Sequence, residues 1–541
     1  MGLDPNKIKG NVDVKLGLDF ELRQDLDTKD IKVDVAADLH NIELNGIADP
    51  HKITADEMKL KVNSGGWRLS GDGKFDEIPV NLVMNEKFAD KQYKSRCHVS
   101  FALDEMARKK LGFDAKILQA PYFEGAAMVN ADIVVRENNL MEIDVRADLQ
   151  KTKMDYAYMG LVKAAGEQAE IKAKVNVKND KVTSVSNLSL LKPGFAVSGN
   201  IGMYASGRVK EINISKISAP RTTASAKVGM SDSDNPSYKI NVSGESYDLR
   251  PLFDKIDDKS DADKNTVPTQ ENEDDGLEKL NNTDVNIAVG SLWTNDTTPI
   301  QNFTGNAKLR HGIGIDELNM VGNFGIDKSI KLNLSYMPRA NKEHYLSVES
   351  NNAGGTLKVL RLYENMVGGT LKLEARRELN KKFIGHAIVR DFSIQNAPVV
   401  AKILSVASFT GMLDLLKGDG LTFTHFSAPF EYHYKILKLK HAKAEGNVVG
   451  LTAIGQYNRA TDEVKIHGVV APAYSLNRFL GKIPVVGNLL ASKDGTIFAA
   501  DYKAEGSAKD VKVDVNSLSI LSPNSMKEWY NKNFGDGEEE L

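Results

Sequence analysis

The sequence predicts a mainly β protein built as an antiparallel meander. Three observations carry this reading. Apolar and polar residues alternate strictly in many short runs, turn-forming dipeptides separate the runs, and stretches of helical periodicity are scarce. Successive side chains of a strand point to opposite faces, so strict alternation marks a sheet with one apolar face. Such a face must be covered by helices, by a second sheet, by curling on itself or by an apolar ligand.

Taken in order, Val12, Val14, Leu16, Leu18, Phe20 and Leu22 fall on one face, with Asp13, Lys15, Asp19 and Glu21 on the other. The pattern returns at 31–35, with Val33 and Val35 on the apolar side, and at 58–62. Residues 104–111 read as a short helix. Alternation resumes at 171–177 through Ile171, Val175 and Val177, at 284–289, at 331–334 through Leu332 and Leu334, and at 511–515. Turn signals stand at Asn63-Ser64-Gly65-Gly66, Gly71-Asp72-Gly73, Asn179-Asp180 and Ala353-Gly354-Gly355. The strongest helix signal covers 396–416, where Asn396 is placed to cap, Pro398 sits near the first turn and Gly418 follows the end. Val399, Val400, Ile403, Leu404 and Ala407 share one side of it, with Lys402 and Ser405 on the other, which suits packing on a sheet better than crossing a membrane.

Composition excludes several classes. The 541 residues carry 70 Lys+Arg against 73 Asp+Glu, a net charge of -3, which is not the basic footprint of a general nucleic-acid binder. The single Cys97 forms no disulfide framework or cysteine zinc cluster. A globular chain of this length divides into several cores unless it is elongated. Neither a signal-peptide h-region nor a long uncharged apolar run is read, so the chain as written is expected to be soluble and to start in the cytosol. Residues 254–283 are acidic and too poor in apolar side chains to order themselves, as are 532–541. The expected organisation is therefore an N-terminal β segment at 1–253, an acidic linker or loop at 254–283, a second β region at 284–531 and an acidic tail.

Catalytic machinery is not found. There is no Walker-type loop, Gly-x-Ser-x-Gly elbow or His-Glu-x-x-His helix, and residues 481–487 lack the terminal Lys of a phosphate loop. His425, His433 and His441 are too far apart for a local metal site, and the carboxylates alternate with lysines as on a solvated strand face. Cys97 and His98 are neighbours on a strand and point to opposite faces. The expectation is a protein that is not an enzyme, with no catalytic or metal-binding residue and no cofactor.

Two stretches of the final third, FIGHAIVRDFSIQNAPVVAKILSVASFTG at 383–411 and GVVAPAYSLNRFLGKIPVVGNLL at 468–490, with VDVNSLSILSP at 513–523, resemble the C-terminal region of the AsmA-like proteins of double-membraned bacteria. The resemblance covers roughly 383–530 by motif and the rest by its style of alternating strands. It implies an elongated, strongly curved antiparallel sheet forming a hydrophobic groove, the repeating β-groove, in the periplasm and associated with the inner membrane. The implied activity is movement of phospholipid between inner and outer membranes in support of outer-membrane assembly. The partners are then phospholipid acyl chains, the membranes themselves and envelope proteins, with no nucleic acid.

On this reading Val12, Val14, Leu16, Leu18, Phe20, Val33, Val35, Ile171, Val175, Val177, Leu332 and Leu334 line the groove. Val399, Val400, Ile403, Leu404 and Ala407, with 476–490, plug or gate one end. The chain departs from the family in showing no N-terminal membrane helix, in placing Ser517 where relatives often have Pro, and in the polar run Asn524-Ser525-Met526-Lys527. The alternative is a structural or interaction module, a β-sandwich or β-solenoid with a closed core.

Overall fold

The computed structural model describes residues 8–516, except 25, 28–29, 49–50, 89–92, 114–115, 137–139, 158–159, 253, 255–276, 325–328, 407–415, 417–419, 473–499 and 509. The chain is mainly β and forms two compact units, Met1–Lys239 and Ile240–Leu541. Most of the acidic segment, the 476–490 segment and the acidic tail lie outside the described residues.

In the first unit one antiparallel meander runs from Ile8–Asp19 through Lys32–Ala48, His51–Asn63, Gly66–Phe75, Ile78–Lys87, Ser95–Leu103, Ala127–Val135 and Leu140–Asp148. It continues through Glu170–Lys178, Lys181–Lys192, Phe195–Met203 and Val209–Ala219 to Thr222–Met230. Two excursions leave this path. Helix α1, Glu105–Lys110, follows one strand, and the short strands Phe123–Glu124, Lys153–Tyr156 and Leu161–Lys163 form a separate three-stranded sheet.

The second unit repeats the plan. Thr283–Trp293, Ile300–Arg310, Gly314–Phe324, Ile330–Pro338, His344–Ser350, Met366–Arg377 and Phe383–Ile394 pair in succession. So do Leu421–His433, Ile436–Gly446, Val449–Asn458, Glu463–Pro472, Ala500–Ser507 and Asp510–Asn516. Two helices interrupt it, α2 at Ala353–Val359 and α3 at Pro398–Val406. No helix among the described residues is long and apolar enough to cross a membrane.

Local chemistry explains the elements. Asn179 and Asp180, both at positive φ, make the two-residue hairpin turn between their strands. Asp104 caps α1, its Oδ1 accepting from the Ala107 N–H at 2.8 Å. Register shifts recur along both meanders, as between Lys172 and Lys174, Ile214 and Ile217, and Leu439 and Ala442. Each such bulge bends its strand and adds twist, which curls the sheets.

Several expectations need correction. Gly71-Asp72-Gly73 is not a turn but lies inside a strand. Its glycines admit the close approach of Met58 and Thr54 at an irregularity in the neighbouring strand, and the turn falls at Asp76-Glu77, both at positive φ. Ala353-Gly354-Gly355 opens α2, capped by Asn352, whose Oδ1 accepts from the Gly355 N–H at 2.8 Å. Gly354 is required there because a Cβ would stand 2.2 Å from the Met366 carbonyl. Helix α3 starts at Pro398, so Asn396 precedes the cap and takes a left-handed φ of 49°. The first strand ends at Asp19, which leaves Phe20 and Leu22 beyond it.

Candidate functional site

An apolar sheet face open to a ligand lies in the first unit. Cross-strand pairs share a face, and the register places Val12 opposite Leu39, Val14 opposite Ala37, Leu16 opposite Val35 and Leu18 opposite Val33. The next strand continues the row with Met58, Leu60 and Val62, and the one after with Leu69 and Trp67. Met58, Leu69, Leu82, Ile42 and Leu44 are buried in one cluster. Toward the edge, burial fails. Ala37 is buried and Val35 half-buried, Val33 is exposed, and Val12, Val14, Leu16 and Leu18 are each more than half exposed. Phe20, just past the strand, is exposed as well. The apolar face therefore passes without a break from packed core to bare edge.

Farther along, the same face is covered. Val80 packs with Ala107 of α1, while Phe101 pairs with Val129 and Val129 with Ala147, and against these last three pack Phe123, Met154, Tyr156 and Leu161 of the three-stranded sheet. Two buried cations fasten the cover. Arg108 lies over the Phe123 ring and donates to the carbonyls of Leu103 and Gly125 at 3.3 and 3.0 Å. Lys163 Nζ donates to the carbonyls of Thr152 and Ala164 at 2.6 and 3.1 Å, and burial lowers its pKa. Ile171 packs at the margin of this covered region, and Val175 and Val177 are half-buried.

In the second unit the face is buried where two helices seat on it and half-buried beyond them, as at Leu318, Met320, Leu346 and Leu373. Leu332 and Leu334 are buried at 1% and 8% exposure, so they belong to packed core and not to an open lining. Their cluster takes in Ala353 and Val359 of α2 and Ile403 and Leu404 of α3. Val399 and Val400 are half-buried against the same core, and Ala407 lies outside the described residues. Alternation alone does not distinguish Leu332 from Val14, because both occupy apolar positions of alternating strands and differ only in what lies above them.

The polar faces carry networks that sequence reading missed. His98 Nδ1 is 2.7 Å from Asp132 Oδ1, and Ser100 Oγ is 3.2 Å from His98 Nε2. The cause is register, since His98 pairs with Asp132 and Ser100 with Asn130, whose Oδ1 also accepts from the Ser100 hydroxyl at 2.8 Å. Cys97 points the other way, toward the apolar cluster, where burial and then the Asp132 charge push its thiol up to about 11. Buried imidazoles pair with half-buried carboxylates at His344 with Asp316, 3.1 Å apart, and at His467 with Asp501. Among the described residues no group of three or more His, Cys, Asp or Glu is placed to hold a metal.

The chain matches no protein-family model, no curated protein and no solved structure.

Proposed function

We propose that the protein is a non-enzymatic groove protein for phospholipid movement between inner and outer membranes, acting in the periplasm in support of outer-membrane assembly. The observation that carries the reading is the unbroken apolar face running from Met58 and Leu69 out to the exposed row Val12, Val14, Leu16 and Leu18. An acyl chain laid along this row is removed from water at about 0.8 kcal/mol per methylene, while its headgroup stays beside the flanking charges in solvent. The resemblance of residues 383–530 to AsmA-like proteins points the same way.

A second reading, a closed-core structural module, is favoured for the second unit by the seating of α2 and α3 on its apolar face. The two readings differ in extent between the units: acyl chains engage the first unit's open edge, and the seated helices close the part of the second unit's face that they cover.

Mass spectrometry of organic extracts from detergent-free protein tests the proposal. Phospholipid in at least stoichiometric amount, lost on Val14→Asp/Leu16→Asp substitution, is the expected result. Folded protein free of lipid overturns it.

A further inference from the structure

The strand Ile8–Asp19 is bonded along one side only, to Lys32–Ala48, and no other described strand pairs with its outer side. An edge of this length, with an exposed apolar row, is a template for another strand. Its charged side chains do not oppose such pairing but specify it. Lys9, Asp13, Lys15 and Asp19 alternate in sign, so the row read backwards is its own electrostatic complement.

We propose that this edge docks on the same edge of a second copy of the chain, antiparallel about a two-fold axis at Val14. Lys9 then faces the partner's Asp19, Asp13 faces the partner's Lys15, Val12 faces the partner's Leu16, and Val14 meets the partner's Val14. Directly opposed residues of antiparallel strands have Cβ atoms about 4.5–5.5 Å apart, within reach of ion pairing.

Other registers fail on the same residues. Sliding by two positions sets Asp13 against its own copy in one direction and Lys15 against its own copy in the other. A slip of one places apolar residues opposite charged ones. Parallel in-register pairing opposes every charge to itself.

Within the chain Lys9 lies 3.7 Å from Glu43, Asp13 3.3 Å from His40 and Asp19 3.6 Å from Lys32, and the Lys9, Asp13 and Asp19 side chains stay largely exposed. Such pairs are weak and leave the side chains available. The symmetry is that of an isologous interface, and it would carry the apolar face of one copy directly into that of the other. The inference stands on the edge itself and not on the lipid reading.

The test is sedimentation of the full chain in detergent-free buffer over a concentration series, with Asp13→Lys and Lys15→Asp variants. The wild type is expected to dimerise. Each variant alone opposes like charges at two symmetric places and dimerises roughly tenfold more weakly. An equimolar mixture of the two variants restores opposite charges in every pair and forms the heterodimer. Circular dichroism melting establishes that both variants are folded, and their lipid content, measured separately, reports on the groove reading alone. A monomeric wild type, single variants that dimerise as tightly as wild type, or a mixture that stays monomeric overturns the proposal.

Discussion

Lys402 Nζ, on α3, donates to the carbonyl of Val511 at 2.8 Å and lies 3.3 Å from Asp510 Oδ1, tying the helix to the last described strand of the second unit. The ion pair is exposed, so the carbonyl bond accounts for most of the tie, about 1 kcal/mol. Beneath it Leu404 is fully buried and Ile403 nearly so. Packing therefore outweighs the clasp. Lys402→Ala is expected to cost about 1 kcal/mol in urea unfolding, and Leu404→Ala about 2–5 kcal/mol, because the emptied site is walled by a packed sheet. Equal costs would show that the helix is held by its polar tie.

Val14→Asp and Leu332→Asp make the same chemical change at positions with the same sequence pattern. Val14 is 60% exposed and Leu332 1%. The first variant keeps its charge hydrated and is expected to shift the melting temperature little while lowering bound phospholipid. The second buries an unpaired carboxylate and is expected to unfold the second unit, a loss of several kcal/mol. Thermal melting followed by circular dichroism compares them. A Val14→Asp variant that melts like Leu332→Asp would place Val14 in closed core.

These two residues also mark how far the sequence could be read. The alternation at 12–18 and 331–334 reports which face is apolar, and that is enough to place the strands. It does not report what covers the face, which depends on contacts distant in sequence. Leu332 is sealed with the help of Ala353 and Val359, from a segment whose Ala-Gly-Gly run looks like a turn until Asn352 caps it and Gly354 meets the Met366 carbonyl. The three-stranded sheet was illegible for a related reason. Its strands are too short for periodicity to register, and two of them stand well apart from the third in sequence. The His98–Asp132 contact needed the register of two strands, which alternation does not supply.

Cys97 is half-buried against Met84 and its neighbours, and its thiol is pushed up to about 11. At pH 8 it is expected to react with a thiolate-seeking reagent far more slowly than a free cysteine, and at the ordinary rate once urea unfolds the first unit. In the unfolded chain the thiol ionises at lower pH than in the fold. Cys97 therefore contributes stability below the ordinary thiol range that is lost as pH rises toward about 11. Cys97→Ala is expected to flatten that alkaline loss. Fast labelling of the native chain at pH 8 would contradict the burial.

Lys163 shows whether the cover on the first unit's apolar face is held by polar contacts. Its side chain is fully buried, and its ammonium is bound by backbone carbonyls of its own neighbourhood, those of Thr152 and Ala164 among them. Lys163→Met keeps most of the volume but leaves those carbonyls without their donor, at an expected cost of about 3 kcal/mol. Burial lowers the lysine's pKa in the fold, so between that value and the ordinary lysine range the unfolded chain holds more protons than the native one. Stability carried by this group therefore rises with pH across that window, and Lys163→Met should remove the rise. Urea unfolding of the wild type and the variant at neutral and alkaline pH measures both effects. With the tie gone, Phe123, Met154, Tyr156 and Leu161 are the side chains expected to lift from the sheet. Phospholipid binding that increases in Lys163→Met would show that the cover limits how far acyl chains travel along the face, whereas unchanged binding with lowered stability would confine them to the open edge at Val12–Leu18.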